Sequence, residues 1–499
     1  MSIQRSDIPS LQSLLHGIVE VPEQILVRNI VLDHRDLKAG DLFIARAGTQ
    51  HKGSDFVIPA IEAGASAVLI SESDYLPEFK KYSDLIIRVK DLHTVAGELI
   101  SRYYHSPTKT MNVVGITGTN GKTSSCHFIA QALNLLGDKT AYIGTIGYGF
   151  IDQLETSTHT TPDLLTVHQR LAAYHTAGAT ASIMEVSSHA LDQGRVAGVQ
   201  FTQVGITNLT RDHLDYHKSM SAYAASKQQL FDKNPNATQL LNIDDAFGRE
   251  LLTRAKSNES AYVTYSQFND QADVYVKSSE FHIEGMRFIL STPWGEVSGN
   301  TSIIGRFNLS NLLLTVTSLG VAGYPNHHIS RVLPNITAVS GRMEKVSCIG
   351  EPLVLIDYAH TPDALLQALS ALNEHRNEES KLICVFGCGG DRDQGKRPLM
   401  AQVASGLADH LIITSDNPRS EDPNEIINQV VAGLTDRSIA RVEADRAEAI
   451  SIAITIASAN DIVLIAGKGH EDYQEIMGQR HRFSDQKVAR HYLDQRSCA

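Results

Sequence analysis

Short apolar runs along this chain are each followed by a polar cluster and then by a segment whose apolar residues recur at helical spacing. Between about residues 95 and 340 the apolar runs are 113–116, 181–184, 204–206 and 240–241. Strands that alternate with helices predict a parallel sheet with helices on its faces. Ligands bind such sheets at the carboxyl ends of the strands, so the polar clusters are expected to meet at one edge.

The regions on either side repeat this pattern with differences in detail. Residues 1–94 predict a small α/β domain, and residues 341–499 predict a Rossmann-like doubly wound sheet with a ligand edge of its own. Residues 259–300 alternate like a small antiparallel flap, and Asn308 or Ser310 is expected to cap the helix that follows. The expected fold class is α/β with three domains, at 1–94, 95–340 and 341–499. A length of 499 residues agrees with about three domains.

Residues 111–124 carry the strongest functional signal. A buried strand runs into the Gly- and Asn-rich loop 117–121, and Lys122 then opens a segment with helical spacing. Such a loop turns backbone N–H groups toward phosphate, while Lys122 supplies a cation and Thr123 a hydroxyl for Mg²⁺. The strict nucleotide-loop pattern has glycine at the position of Ile116. The alternative is an ordinary strand-to-helix turn, but the Gly-Lys-Thr context favours phosphate binding.

Two residues in the other clusters suit a metal ion beside that loop. Glu185 follows the run 181–184, and His213 lies in the polar segment 207–217 after the run 204–206. Carboxylate and imidazole are ligands suited to Mg²⁺ next to a triphosphate. The alternative for each is an exposed loop residue, and the convergence of the strand ends favours metal ligation.

Lys227 lies on an apolar face of the helical segment 221–231, with Tyr223 and Phe231 four residues away on either side. A lysine in such a place usually extends its ammonium group to solvent. The alternative is burial, which lowers the pKa and leaves a neutral amine. A neutral amine can add CO₂ and become a carbamate that binds Mg²⁺.

The third region places Arg392 and Arg419 after two strands of its sheet, where both could hold a carboxylate-bearing ligand through bidentate hydrogen bonds. The dinucleotide pattern Gly-x-Gly-x-x-Gly is absent from the sequence, which argues against NAD. The pair Cys384 and Cys388 has no second pair nearby and is interpreted as core residues, not a zinc site.

Charge and composition exclude several classes of protein. The chain has 44 Lys plus Arg against 56 Asp plus Glu, a formal charge of −12, which argues against a nucleic-acid or membrane-surface protein. No apolar run approaches the ~20 residues of a membrane span, and the N-terminus has no apolar signal core. Five scattered cysteines suit a reducing compartment, so a cytoplasmic location is predicted.

Several motifs together resemble the Mur ligase family over nearly the whole chain. They are Gly-Thr-Asn-Gly-Lys-Thr at 118–123, Glu-Val-Ser-Ser-His at 185–189, the segment 207–217, Asp-Tyr-Ala-His-Thr-Pro at 357–362 and Gly-Lys-Gly-His-Glu at 467–471. In that family the phosphate loop lacks the first glycine, and the carbamylated lysine falls on Lys227. Asp-Asn-Pro-Arg at 416–419 is similar to the members that accept meso-2,6-diaminopimelate instead of L-lysine.

The resemblance implies a role for each matching residue. The ATP contacts would be Gly118, Thr119, Asn120, Gly121, Lys122, Thr123, Ser124, Asn308, Arg342 and Asp357. The UDP-linked substrate would contact Leu32, His34, Thr49, Gln50, His51, Thr160, Thr161, Ser187, Gln193 and Arg195. Diaminopimelate would contact Arg392, Asp416, Asn417, Pro418, Arg419, Gly467 and Glu471. Mg²⁺ would be held by Thr123, Glu185, His213 and carbamylated Lys227 (N6-carboxylysine), and the catalytic residues would be Lys122, Lys227 and His213.

The activity implied is ATP-dependent formation of an amide bond between the D-glutamyl γ-carboxylate of UDP-N-acetylmuramoyl-L-alanyl-D-glutamate and meso-2,6-diaminopimelate. The predicted cofactors are ATP and Mg²⁺, no nucleic acid or membrane partner is expected, and a monomer is predicted. Three alternatives stay open: the same ligation with L-lysine, a folylpolyglutamate-type ligase, and a nucleotide-gated switch protein that forms no bond. The predicted first domain and the residues 416–419 argue against a folylpolyglutamate-type ligase, and the second ligand edge with its arginines argues against a switch protein.

Overall fold

The structure is a computed structural model that describes residues 8–21, 25–46, 51–157, 159–348 and 350–497. The chain divides into two compact units, Met1–Val263 and Thr264–Ala499. No helix within the described ranges is long and apolar enough to cross a membrane.

The first unit holds nine α-helices among its described residues, and most of them begin after a polar side chain that accepts a hydrogen bond from a backbone N–H of the first turn. Asp91, Asp163, Ser187, Ser219 and Asp245 all cap helices in this way. The helices are α1 (Leu11–Leu15), α2 (Val57–Glu62), α3 (Leu92–Tyr103), α4 (Lys122–Leu135), α5 (Leu164–Thr176), α6 (Ser188–Asp192), α7 (Leu214–His217), α8 (Met220–Asp232) and α9 (Ala246–Ser257).

The strands of this unit form two sheets. They are β1 (Ile30–Val31), β2 (Leu42–Ala45), β3 (Ala67–Ser71), β4 (Ile86–Val89), β5 (Asn112–Thr117), β6 (Thr140–Gly144), β7 (Gly147–Phe150), β8 (Gln153–Glu155), β9 (Ala181–Glu185), β10 (Gln203–Ile206) and β11 (Thr238–Asn242). Strands β1 to β4 form a parallel sheet in chain order. The larger sheet has the order β11-β10-β5-β9-β6-β7-β8, parallel from β11 to β6.

The strands of the larger sheet are continuous apolar runs in the sequence because they are buried on both faces. Both faces of β5, β9 and β10 are covered, and all but one of their residues are buried. Its core includes Val113, Ile143, Met184, Val204 and Leu241. Every predicted strand of this region is present, so the parallel sheet predicted between the helices is confirmed.

The second unit contains an antiparallel flap and a six-stranded sheet. Its strands are β12 (Tyr262–Ser266), in which the division between the units falls, β13 (Val274–His282), β14 (Gly285–Thr292), β15 (Gly295–Thr301), β16 (Glu344–Lys345), β17 (Leu353–Asp357), β18 (Leu382–Phe386), β19 (His410–Ile413), β20 (Ala440–Val442), β21 (Ile462–Ala466), β22 (Tyr473–Ile476) and β23 (Gln479–Arg482). Strands β13, β14 and β15 pair antiparallel, as expected for the flap. The six-stranded sheet has the order β16-β17-β21-β18-β19-β20 and is parallel apart from β16.

The second unit has seven α-helices among its described residues: the last five cover the faces of that sheet, with one apolar cluster on each side, and the first two pack against the flap strands. The helices are α10 (Arg306–Val321), α11 (Asn326–Val332), α12 (Pro362–His375), α13 (Lys396–Leu407), α14 (Pro423–Val431), α15 (Arg446–Ile456) and α16 (Asp485–Ser497). The predicted cap of α10 is wrong, because the helix begins before Asn308 and Ser310. Gly305, at φ 96°, precedes it and donates its N–H to His375 Nε2 at 2.9 Å. The doubly wound sheet predicted for this region is confirmed.

Candidate functional site

The phosphate loop lies between β5 and α4, where the sequence predicted it. Gly118 has φ 148° and Gly121 has φ 82°, conformations that favour glycine. A Cβ atom on Gly118 would lie 1.8 Å from Thr207 Oγ1, so the approach of the neighbouring segment also requires glycine. The loop leads directly into the N-terminus of α4, and the N–H groups of a first helical turn favour an anion.

Polar segments from neighbouring strands meet at this loop. The Thr119 N–H donates to Asn208 O at 2.8 Å, and the Asn120 N–H donates to Asn208 Oδ1 at 3.0 Å. Asn242 Nδ2, at the end of β11, donates to Thr207 O at 2.6 Å. The convergence of the carboxyl ends of these strands is therefore confirmed.

Two lysines from different helices reach the same backbone oxygen of the loop. Lys122 Nζ donates to Gly118 O at 2.9 Å and Lys227 Nζ donates to it at 2.7 Å. Burial lowers the pKa of Lys227 well below its usual value, and the nearby Lys122 ammonium lowers it further. The prediction that Lys227 extends to solvent is therefore wrong. Helix α8 packs this side chain against the loop, and Lys227 is only 1% exposed.

Glu185, at the end of β9, is buried beneath the loop. Its Oε2 accepts from Thr123 Oγ1 at 2.8 Å, and its Oε1 accepts from Tyr142 OH at 2.5 Å and from the Thr145 N–H at 2.8 Å. The alternative of an exposed loop residue is excluded for Glu185. Two oxygens at adjacent positions around Mg²⁺, each ~2.1 Å from the ion, lie about 3 Å apart. The Thr123 and Glu185 oxygens have that spacing, so this pair fits the ion.

His213 is in a different environment. Its side chain is half-exposed, its backbone has φ 52°, and its Nε2 lies 3.5 Å from Asp212 Oδ2. Its ring packs edge-on against His189, with centroids 5.0 Å apart, and against Tyr223 at 6.0 Å. Across the described residues no three His, Cys, Asp or Glu side chains are already grouped as a metal site. Metal binding by His213 therefore stays a prediction.

The residues expected to hold the muramoyl dipeptide form one hydrogen-bonded group. Thr161 Oγ1 donates to Glu185 O at 2.7 Å and accepts from the Ser187 N–H at 3.1 Å. Arg195 donates to Gln193 Oε1 at 2.7 Å and to Thr161 O at 2.8 Å. Thr160 joins the group through Thr145, with hydroxyl oxygens 3.0 Å apart.

A cavity of about 1070 Å³ adjoins this group. Its lining includes the predicted residues Leu32, Gln193 and Arg195. Several other lining residues were not predicted: Arg46, His93, Tyr148, Thr156, His159, Pro162, Asp163, Thr166, Arg170, Asp192 and Tyr216. These residues carry no local pattern, since most lie in loops or at helix ends far apart in the chain.

Two of the predicted contacts in the first part of the chain meet at one aromatic ring. His34 stacks on Phe56 with ring centroids 4.5 Å apart, and His51 meets the same ring edge-on at 5.7 Å. Phe56 was not predicted, although its position shortly after His51 makes it a reasonable partner for a flat base. Thr49 and Gln50 lie outside the described residues.

Three residues predicted to contact the nucleotide lie in the second unit. Arg342 lies over the Tyr358 ring at 5.0 Å, and Asp357 accepts from the N–H groups of Met343 and Ala359. Burial raises the pKa of Asp357, while the Arg342 charge and these N–H groups oppose that rise. Asn308 is buried in α10, where its amide donates to Ile304 O at 2.8 Å.

The predicted amino-acid pocket is assembled in the second unit from the loop after β19 and the hairpin of β22 and β23. Asp416, Asn417 and Pro418 are buried, and Arg419 follows at φ 53°. The Arg419 N–H donates to Glu475 O at 3.0 Å and Arg419 O accepts from the Met477 N–H at 2.6 Å, so the hairpin fixes the backbone. Its guanidinium donates to Gly390 O at 2.7 Å.

Arg392 lies near this loop but is exposed, and its guanidinium donates to Asp391 O at 3.2 Å. A Cβ atom on Gly389 would lie 2.9 Å from Arg419 Nη1 and 3.9 Å from Arg392 Cγ. The two arginines therefore flank the Gly389 backbone, as their positions on neighbouring strand ends predicted.

Lys468 is the residue of this pocket that sequence reasoning missed. Its fully buried ammonium group donates to Asn417 Oδ1 at 3.0 Å and to Glu471 Oε2 at 3.2 Å, and lies 3.6 Å from Asp416 Oδ1. Asn417 Nδ2 also donates to Glu471 Oε2, at 2.9 Å. Lys468 lies inside the motif 467–471, so a lysine next to two predicted contacts was the available signal.

Three comparisons with known proteins agree with one another. The chain matches the Mur ligase family, catalytic domain, at residues 26–104, the Mur ligase middle domain at 116–319 and the Mur ligase glutamate ligase domain at 341–469. It is 47% identical over 467 residues to a UDP-N-acetylmuramoyl-L-alanyl-D-glutamate--2,6-diaminopimelate ligase of Chromobacterium violaceum, covering 94% of each chain. The ligase of that name from Pseudomonas aeruginosa is 44% identical, covering 95% of this chain and 96% of the relative.

Solved structures give the same result for the fold. A structure of a UDP-N-acetylmuramoyl-L-alanyl-D-glutamate--2,6-diaminopimelate ligase matches with a TM-score of 0.80 and 35% identity, covering 98% of this chain and 99% of the other. A folylpolyglutamate synthase of Mycobacterium tuberculosis matches with a TM-score of 0.59 and 16% identity over 74% of this chain and 91% of the other. The second match concerns the fold alone.

Proposed function

This chain belongs to the Mur ligase family, and we propose that it joins meso-2,6-diaminopimelate to the D-glutamyl γ-carboxylate of UDP-N-acetylmuramoyl-L-alanyl-D-glutamate at the expense of ATP. The observation that carries this proposal is the similarity, across more than nine-tenths of the chain, to relatives that bear the name of that ligase. The reaction is a step of peptidoglycan precursor synthesis. The chain acts as an ATP-dependent acid–amino-acid ligase.

The first step activates a carboxylate, which is a poor electrophile. An oxygen of the γ-carboxylate attacks the γ-phosphorus of ATP, the bond to the β-phosphate oxygen breaks, and ADP leaves an acyl phosphate behind. Residues 118–124 hold the phosphates, with N–H groups of the loop and the α4 N-terminus directed at their oxygens. Lys122 exchanges its contact with Gly118 O for a phosphate oxygen and stabilises the charge in transfer.

Mg²⁺, when bound, offsets the charge of two anions brought together. Thr123 and Glu185 would hold it through the oxygens already 2.8 Å apart. Burial lowers the pKa of Lys227 at the loop and so favours the neutral amine, which is the form that adds CO₂. The amine nitrogen forms a bond to the carbon of CO₂ and one of its two protons is released to solvent, so the carbamate carries one negative charge on its oxygens. Carbamylated Lys227 would then be a further anionic ligand for the ion.

In the second step the neutral amine of diaminopimelate attacks the acyl carbon, the bond from that carbon to the phosphate oxygen breaks, and hydrogen phosphate leaves with the proton that the amine loses. No enzyme nucleophile is required. Diaminopimelate differs from lysine by one extra carboxylate, for which Arg419 and Arg392 provide guanidinium groups near Gly389. Asp416 and Glu471, held by Lys468, are placed to accept from its distal ammonium.

The proposal is tested by ADP release with purified enzyme, ATP and Mg²⁺. Turnover is expected only when the UDP-linked dipeptide and diaminopimelate are both present, and L-lysine is expected to be a poor replacement. ATP hydrolysis that does not depend on both substrates would favour a nucleotide-gated switch protein. Turnover with L-lysine at the same kcat/KM would overturn the choice of amino acid but leave the ligase intact. Turnover with a folate substrate and glutamate would overturn the choice of family member.

A further inference from the structure

The cavity of about 1070 Å³ contains a cation that the proposed reaction has not used so far. Arg46 follows β2 directly and lines this cavity. Its Nη2 donates to Gln193 O and lies 3.1 Å from His93 Nδ1. Its Nε is buried and has no hydrogen-bond partner among the described residues. A buried N–H without an acceptor is costly, so the position points to a ligand that supplies one.

The other arginines of the cavity are already occupied. Arg195 donates to Gln193 Oε1 and Thr161 O. Arg170 is paired with Glu155 at 2.7 Å and lies over the Tyr148 ring at 4.9 Å. Among the lining arginines that the structure describes, Arg46 is the one with a buried guanidinium nitrogen that has no hydrogen-bond partner.

The carboxylates of the cavity do not neutralise Arg46 directly. Asp163 caps α5, accepting from the Thr166 N–H at 3.0 Å and the Thr166 hydroxyl at 2.6 Å. Asp192 accepts from Tyr216 OH at 2.7 Å. Burial lowers the pKa of Arg46, with Asp163 opposing and Arg195 adding to that effect. A desolvated guanidinium in this environment gains most from a bound anion.

The order of groups in the substrate identifies the anion. The UDP-linked substrate runs from uridine through the diphosphate to the muramoyl sugar and its dipeptide. Leu32, at the proposed uridine end, and Gln193 and Arg195, at the proposed dipeptide end, line this one cavity. Arg46 lines the same cavity: it follows β2, the strand paired with β1, and its guanidinium contacts Gln193 O.

We propose that Arg46 is the binding residue for the diphosphate of the UDP-linked substrate, and that His93 orients its guanidinium through the contact with Nη2. This inference rests on the proposed function. Glycine at position 194 permits the arrangement, since a Cβ there would lie 2.8 Å from His93 Nδ1. Arg46 makes no contact with the reacting carboxylate, so its effect appears in substrate binding and not in the chemical step.

The test compares Arg46→Met, Arg46→Lys and the control Arg254→Met in steady-state kinetics. Arg254 is half-exposed on α9, and its Nη2 lies 3.4 Å from Asp232 Oδ2. The control therefore removes the same charge from the same unit. Arg46→Met should raise KM for UDP-N-acetylmuramoyl-L-alanyl-D-glutamate about 10- to 100-fold, the loss typical of one charge-assisted hydrogen bond. KM for ATP and diaminopimelate, and kcat, should stay near wild type. Arg46→Lys, which keeps the charge but not Nε, should lie between, and Arg254→Met should resemble wild type.

A second substrate shows whether Arg46 binds the diphosphate or the carboxylates of the dipeptide. N-acetylmuramoyl-L-alanyl-D-glutamate without uridine diphosphate should be used equally well by wild type and Arg46→Met. An equal loss for both substrates would overturn the proposal, because Arg46 would then contact the dipeptide carboxylates. No change with either substrate would also overturn it.

Direct binding separates this inference from the proposed function. Calorimetric titration of the wild-type enzyme with UDP and with uridine should show a preference for UDP, and Arg46→Met should lose that preference. If wild type bound UDP but formed no amide bond, the proposed function would fail while Arg46 kept its role. Equal loss of UDP and uridine binding in Arg46→Met would indicate a structural role and overturn the inference, and thermal unfolding of both Arg46 variants checks that they are folded.

Discussion

The phosphate loop of the first unit and the 416–419 loop of the second both follow parallel strands and both gather cations, but they treat those cations differently. At the phosphate loop, Lys122 and Lys227 donate to a backbone carbonyl, which carries no net charge. At the 416–419 loop, Lys468 lies between the carboxylates of Asp416 and Glu471. The first arrangement suits a polyanion that displaces the carbonyl contacts. The second suits an amino acid that carries both ammonium and carboxylate groups, because the positive and negative side chains of this pocket already largely offset one another.

The two loops also differ in what supports their backbones. The phosphate loop depends on Gly118, Gly121 and contacts with Asn208, all set by residues near the strand ends. The 416–419 loop is tied to the distant hairpin of β22 and β23 through Arg419, Glu475 and Met477. We therefore expect mutations at the phosphate loop to affect the chemical step and mutations at the 416–419 loop to affect amino-acid binding.

The largest effect is expected for Lys122→Ala, which removes a cation from the phosphoryl group in transfer. Removing one such stabilising group costs ~10²–10³ in kcat or more. Single-turnover measurement of ADP formation is the test, and circular dichroism checks the fold. Near-normal turnover of this variant would show that the phosphate loop does not take part in the chemical step, and the proposed difference between the two loops would then be wrong.

Lys227→Ala should be the next most severe, with kcat lowered by about 10² because an anionic ligand is lost. Short carboxylates or bicarbonate should restore part of the activity by filling the space left by the carbamate. Lys233→Ala is the matched control, since Lys233 lies at the exposed end of the same helix and donates to Gln229 Oε1. An unmodified amine at neutral pH in a high-resolution map of the metal-loaded enzyme would contradict the carbamate.

Arg419→Ala should raise KM for diaminopimelate by about 10- to 100-fold while KM for ATP and for the UDP-linked substrate stays near wild type. The reason is the loss of a guanidinium held by the hairpin for the extra carboxylate of the ligand. Its discrimination against L-lysine should fall together with diaminopimelate affinity. Normal diaminopimelate binding by this variant would show that residues 416–419 do not determine amino-acid specificity, while the assignment as a ligase would be unaffected.

The smallest effect on activity is expected for Lys468→Met, with KM for diaminopimelate raised about tenfold and kcat little changed. The variant leaves Asp416 and Glu471 without their shared cation, and breaking a buried ion pair costs about 3 kcal/mol of unfolding free energy. Urea denaturation and steady-state kinetics measure the two effects. Lys487→Met on the exposed face of α16 is the control, and unchanged diaminopimelate binding despite lower stability would show that Lys468 supports the fold alone.

Much of the fold could be predicted because its signals are local. The strands β5, β9, β10, β18 and β21 appear as continuous apolar runs, since both faces of a parallel sheet are covered. Helix α4 and the loop before it follow from glycines and Gly-Lys-Thr within one short stretch. The boundaries of the three predicted domains and the individual ligand contacts remain predictions.

The sequence by itself determined where anions and metals could bind, because chain direction brings the ends of parallel strands to one edge. Tertiary structure alone decided whether each charged side chain is solvated, paired or left for a ligand. Lys227 is buried against Gly118 O, Lys468 lies between two carboxylates, and Arg46 Nε has no hydrogen-bond partner in the part of the chain that the structure describes. The reason is physical: the free energy of a charge depends on desolvation and on partners that are distant in the chain, and neither is encoded in the residues beside it.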